Sequence, residues 1–101
     1  MTINFNQKII NIVTGEILLD EVEKELTLKT VCVNSLLAFL QSENIEGQEK
    51  LLRFTIAKKI IDNENANLTS EEIFKTKEMV GKVYNSMIVG QVFQMLEGEN
   101  K

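Results

Sequence analysis

Leu68-Thr69-Ser70-Glu71-Glu72-Ile73 opens a segment that runs through Val80-Gly81-Lys82-Val83-Tyr84 and closes on Met87-Ile88-Val89-Gly90-Gln91-Val92-Phe93-Gln94-Met95-Leu96. Its first six residues spell a capping box. The Thr69 hydroxyl is placed to accept from the Glu72 amide, and the Glu72 carboxylate to accept from that of Thr69. Leu68 and Ile73 stand where a hydrophobic staple packs. A helix therefore starts here, with Ile73, Met79, Val80, Val83 and Tyr84 as its apolar stripe. Phe74 points elsewhere, and Lys75 and Lys82 cover the far side. Asn85 or Ser86 caps a final helix that ends near Glu97. Seven of the ten residues from Met87 to Leu96 are apolar, a face wider than one neighbouring helix covers. Such a helix is either central to the fold or part of a contact with another chain.

Upstream, Thr27 is a good N-cap for a helix from Leu28 to about Gln41, apolar on most sides except a strip at Thr30, Asn34 and Gln41. Ser42 to Gly47 is read as a turn. The next helix spans about Gln48 to Asp62, with Leu51, Phe54, Ala57 and Ile61 on one face and Leu52, Ile56 and Ile60 on another. Two apolar faces predict a helix sandwiched between layers. Asn63-Glu64-Asn65-Ala66-Asn67 reads as a polar loop. Before all of this, Lys8-Ile9-Ile10-Asn11-Ile12-Val13 and Glu16-Ile17-Leu18-Leu19 flank Thr14-Gly15. β-branched residues on either side of a two-residue link with Gly predict a small hairpin. A lone hairpin is marginal in water, so it must lean on the helices or pair with another chain. Asp20 to Glu25 is an acidic connector. The expected fold is mainly α: a compact bundle of four helices with a small N-terminal β-hairpin. Residues 1–25 hold the hairpin and connector, 26–97 the helical domain, and 98–101 a frayed tail, all in one folding unit.

Composition narrows the function. The chain has 101 residues, enough for one core and not for two. Histidine is absent and Cys32 is the only cysteine. Ser-His-Asp and Cys-His catalysis are thereby excluded, as is every zinc site that uses histidine. Cys32 sits in the run Val31-Cys32-Val33, where it behaves as a small hydrophobe. No apolar run reaches the roughly 20 residues of a bilayer span, and Met1-Thr2-Ile3-Asn4-Phe5 lacks the layout of a signal peptide. The expectation is a cytoplasmic protein with no membrane partner, no cofactor and no enzymatic activity.

The net charge of −4 is unevenly placed. Residues 1–49 carry three basic and eight acidic side chains; residues 50–82 carry seven basic and five acidic. The acidic run Glu16, Asp20, Glu21, Glu23 and Glu25 lacks the spacing of a calcium loop and reads as a solvated linker. Glu71 and Glu72 lie in a first helical turn, where capping and the macrodipole account for them. Lys50, Arg53, Lys58 and Lys59 make the second helix the basic element, a candidate contact for an anionic partner. They spread around the wheel of an acidic protein, so a nucleic acid is not the expected partner. Gly81 and Gly90 lack phosphate-loop spacing. Because glycine inside a helix costs roughly 1 kcal/mol relative to alanine, they point to close helix–helix approach. Tyr84 is read as a core ring with its hydroxyl at the rim.

The stretches Leu26-Thr27-Leu28-Lys29-Thr30-Val31-Cys32-Val33-Asn34-Ser35-Leu36-Leu37, Gly47-Gln48-Glu49-Lys50-Leu51-Leu52-Arg53-Phe54 and Leu68–Gln91, with the short N-terminal segment, resemble a group of phage- and prophage-encoded proteins of about a hundred residues. That resemblance implies no established activity and carries over no catalytic residue. It points to an accessory protein of a bacterial host's phage that acts by binding. Four helices richer in apolar residues than one small domain buries point to a homo-oligomer, with a host or phage protein as a further partner. The candidate self-association residues are Phe74, Met87, Val89, Val92, Phe93 and Leu96, together with the hairpin edge. The alternatives are a small nucleic-acid-binding regulator using the basic helix 50–59, and a virion or virion-assembly component.

Overall fold

The helix caps form where the sequence places them. In a computed structural model, which describes residues 2–38, 40 and 44–98, the elements are β1 (Thr2–Asn4), α1 (Leu28–Leu36), α2 (Gly47–Asp62), β2 (Asn65–Asn67), α3 (Ser70–Val83) and α4 (Ser86–Glu97). Thr27 caps α1 by accepting from the Thr30 amide. Both halves of the capping box are made at α3. The Asn85 side chain accepts from the Ile88 amide to start α4. Gly98 ends α4 in the left-handed region at φ 73°, where its N–H donates to Gln94 and Met95 carbonyls; the missing Cβ makes that conformation cheap. The fold is mainly α with four helices, as expected from the sequence. Residues 99–101 of the expected frayed tail lie outside the described residues.

Three local features differ from expectation. First, α1 stops at Leu36, with Leu37 as its C-cap, instead of running to Gln41. Thr30-Val31-Cys32-Val33-Asn34-Ser35 are middling helix formers, and the buried Ser35 hydroxyl donates back to the Val31 carbonyl at 2.8 Å. Phe39, Gln41 and the expected turn at Ser42 lie outside the described residues. Second, Asn65-Ala66-Asn67 is no loop. It pairs antiparallel with β1, Ile3 opposite Ala66, so that these two side chains enter the core and their polar neighbours face out. Third, α2 is not sandwiched. It buries one face, Arg53, Ile56, Ala57 and Ile60, and leaves Leu51, Phe54 and Ile61 at 62%, 55% and 50% exposure.

The hairpin turn at Thr14-Gly15 is present, with Ile10 opposite Ile17 and Gly15 at φ 80°. It belongs to a larger meander over residues 8–27. The expected acidic connector forms its second reversal, with Leu19 opposite Glu25. There the Asp20 carboxylate accepts from the Val22 and Lys24 amides at 2.9 and 3.0 Å. Three segments of the meander close a ring of backbone hydrogen bonds. The Ile9 N–H donates to Leu26, the Leu26 N–H to Leu18, and the Leu18 N–H to Ile9, at 2.9, 2.8 and 2.9 Å. The ring satisfies buried backbone groups without a regular sheet. The N-terminal segment also caps α1: the amides of Leu28 and Lys29, which no helical carbonyl reaches, donate to Gln7 and Phe5.

The core joins all of these parts. α1 packs against α2 and α3, and α3 against α4. Phe5 and Ile9 from the N-terminal region are fully buried together with Leu28, Leu36, Ile56, Ile60, Met79, Val92 and Leu96. The meander is therefore a wall of the same core and not a separate domain. Among the described residues no helix is long and apolar enough to cross a membrane.

Candidate interaction surface

The final helix spends its apolar surface inside the molecule. Val92 and Leu96 are wholly buried, and Ile88 and Met95 nearly so. Val89 packs against the core as a half-buried residue, and Met87 is likewise half-buried. Phe93 is covered by Lys77, whose ammonium lies 5.5 Å from the ring centroid and also pairs with Glu97. Val92 and Leu96 are thus not available for self-association. Of the six candidates, Phe74 on α3 is the one left exposed, at 69%.

The unburied apolar surface sits elsewhere, on the meander and on α2. Ile12, Val13, Leu19 and Val22 are exposed along the meander, the last two at 58% and 69%. Beside Leu19 and Val22 opens a groove of about 810 Å³. One wall is the second reversal of the meander, with Leu19, Asp20, Glu21, Val22 and Leu26. The floor is one face of α1, where Thr30, Asn34 and Leu37 recur at helical spacing. Val83, Tyr84 and Ile88, from the α3–α4 junction, form the opposite wall. Tyr84 is half-buried against the core, and Asn34 donates to its hydroxyl at 3.4 Å. The ring in the core with its hydroxyl at the rim is the arrangement expected from the sequence. A smaller hollow of about 330 Å³ lies between the end of α1 and the start of α2, lined in part by Leu36, Leu40, Ile45, Lys50 and Arg53.

The basic residues of α2 do not form a common cationic patch. Arg53 is buried, and its Nε donates to Glu49 at 2.8 Å. Lys58 pairs with Asp62 at 3.0 Å, and Lys59 reaches across to Glu72 of the capping box at 2.8 Å. Burial alone would raise the Glu72 pKa, but hydrogen bonds from Lys59 and the Thr69 amide lower it below the ordinary glutamate value. Lys50 is exposed at the first turn. The pairs of Arg53 with Glu49 and of Lys58 with Asp62 are i, i+4 pairs that a helical wheel shows; the pair of Lys59 with Glu72 comes from α3, which a wheel does not show.

Two residues missed by the sequence reading matter for this surface. Gln91 on α4 holds the meander: its Oε1 accepts from the Ile10 amide at 3.0 Å and its Nε2 donates to the Ile10 carbonyl at 2.7 Å. It serves Ile10 as a strand partner would. Glu49 accepts from both Arg53 and Lys75, each at 2.8 Å, and so ties α2 to α3. Among the described residues, the expected helix–helix approach at the two glycines is absent. A Cβ built on Gly81 or Gly90 meets nothing within 4 Å. Among the described residues, no group of three Cys, Asp or Glu side chains is placed to hold a metal ion. No family model, curated protein or solved structure matches this chain.

Proposed function

We propose that this is a non-enzymatic accessory protein of phage or prophage origin that works by protein–protein binding, with self-association as its basic mode. The observation that carries the binding reading is the placement of exposed aliphatic and aromatic side chains. They gather along the meander and its groove and along one face of α2, while the core is filled without them. Exposed apolar surface gathered in patches marks a contact surface, whereas scattered single residues need no explanation. The lack of histidine and the burial of Cys32 support a role without side-chain nucleophile chemistry. The phage origin rests on the sequence resemblance.

Size-exclusion chromatography with light scattering tests the self-association. The expected result is a mass above 11.5 kDa that rises with protein concentration. A constant monomer mass up to high micromolar concentration overturns it. The position of the coding sequence among phage genes tests the origin.

A further inference from the structure

The exposed groove and the exposed face of α2 are complementary in both charge and apolar character. On α2, Lys50, Leu51, Phe54, Lys58 and Ile61 fall within an arc of about 100°, and the three apolar ones are all at least half exposed. Of the cations of α2, Arg53 and Lys59 are engaged with Glu49 and Glu72 and Lys58 with Asp62, and the exposed Lys50 of the first turn is the main positive charge on this face. At the groove, Leu19 and Val22 on one wall and Val83 on the other form an apolar rim above Leu37 of the floor, and Asp20 and Glu21 stand beside Leu19 and Val22. These two belong to the run Glu16 to Glu25, which carries five carboxylates against one lysine. A helix laid in an apolar groove is read by anchors at such spacings, with the flanking charges setting register and partner.

Resting on the self-association reading above, we infer that the groove of one copy receives the Leu51–Phe54–Ile61 face of α2 from a second copy. The contact is head-to-tail. Pairing groove with groove would set Asp20 and Glu21 against their own counterparts, a like-charge contact that costs binding energy. Pairing α2 with α2 would leave the groove and its apolar rim uncovered. Joining groove to α2 puts carboxylates beside ammonium groups and covers both apolar faces in one interface. Because the two surfaces differ, a bound pair keeps one free groove and one free α2 face, so assembly continues into a ring or an open chain.

Mixing two variants tests this. Leu19→Lys/Val22→Lys spoils the groove and keeps α2, whereas Phe54→Glu spoils α2 and keeps the groove. All three positions are exposed, and circular dichroism checks that both variants fold. Sedimentation velocity is expected to show wild-type species larger than a dimer at high concentration, a loss of affinity beyond about tenfold in each variant alone, and a 1:1 heterodimer when the variants are mixed. If the wild type associates but Phe54→Glu associates equally well, or the mixed variants stay monomeric, this contact is wrong and self-association by another surface stands. If the wild type is a monomer at every concentration, both readings fail. A monomer whose groove instead takes a lysine-rich amphipathic peptide gives the groove a different occupant and overturns the second-copy assignment.

Discussion

Glu49 is the residue at which α2 and α3 are joined electrically. Its Oε2 takes hydrogen bonds from Arg53 and Lys75, and Lys75 also pairs with Glu78 at 2.9 Å. The Lys75 hydrogen bonds hold both Glu49 and Glu78 below the ordinary glutamate value, and the bond to Glu49 lifts Lys75 above that of lysine. For the two carboxylates, the folded-state pKa lies below the unfolded one. Their contribution to stability is therefore present above the unfolded value, about 4.3, and is lost as pH falls through the folded values. For Lys75 the sign reverses: its contribution is complete below about 10.4 and fades as pH rises through the raised value. Lys75→Met is expected to cost about 1–3 kcal/mol at neutral pH and to flatten the acid limb of stability, measured by urea unfolding at a series of pH values. Cys32 gives a second prediction. Burial pushes its thiol pKa well up, so a thiol reagent should label it only at the rate of unfolding; rapid labelling of the native protein would contradict its burial. Of this residue-scale picture, the Glu49–Arg53 pair at i, i+4 is visible in the sequence. The burial of Arg53 and the Lys75 bond to Glu49 are not, because they depend on α1 and α3 packing against α2.

At the scale of elements, starts are legible and lengths are not. Thr27, Thr69 and Asn85 each cap the helix that follows them because capping needs only a side chain and an amide two or three residues on. Removing one such interaction, Thr69→Ala, is expected to cost about 1 kcal/mol in thermal or chemical unfolding. β2 was hidden because its partner, β1, lies more than sixty residues away, and three residues carry too little alternation to declare a strand. The glycines misled for a related reason: a mid-helix glycine records a cost, and the sequence does not say what stands opposite. Among the described residues, nothing does at Gly81 and Gly90. Gly81→Ala and Gly90→Ala are each expected to stabilise the protein by about 0.5–1 kcal/mol, and a destabilisation would mean that an undetected neighbour fills the space. Gln91 is an element-scale device as well, since it docks the meander on α4 through both backbone groups of Ile10. Gln91→Leu should leave the four helices in place and speed hydrogen exchange at the Ile10 amide.

For the molecule as a whole, the question is where the apolar residues went. The 44% hydrophobic composition is ordinary for a globular chain, and the apolar α4 is where the sequence alone places a contact surface. Instead α4 packs against α3 and holds the meander through Gln91, and exposed apolar side chains lie on the groove rim and on α2. Substitution should separate the two uses. Leu96→Ala, at a wholly buried site, is expected to lower stability by about 2–5 kcal/mol, whereas Phe74→Ser, at an exposed one, should change it by no more than about 0.5 kcal/mol. Equal effects in a denaturant titration would show that the two sites are not divided in this way. By itself the sequence determined the class of fold, the helix starts and the absence of histidine chemistry, because each follows from residue type and from contacts within a turn or two. Tertiary structure alone decided which apolar faces are spent on the core, which cations pair across two helices, and that the meander and β2 wall the same core as the helices. Those depend on which surfaces meet across long stretches of chain, and a helical wheel ranks faces by composition without saying which of them finds a neighbour.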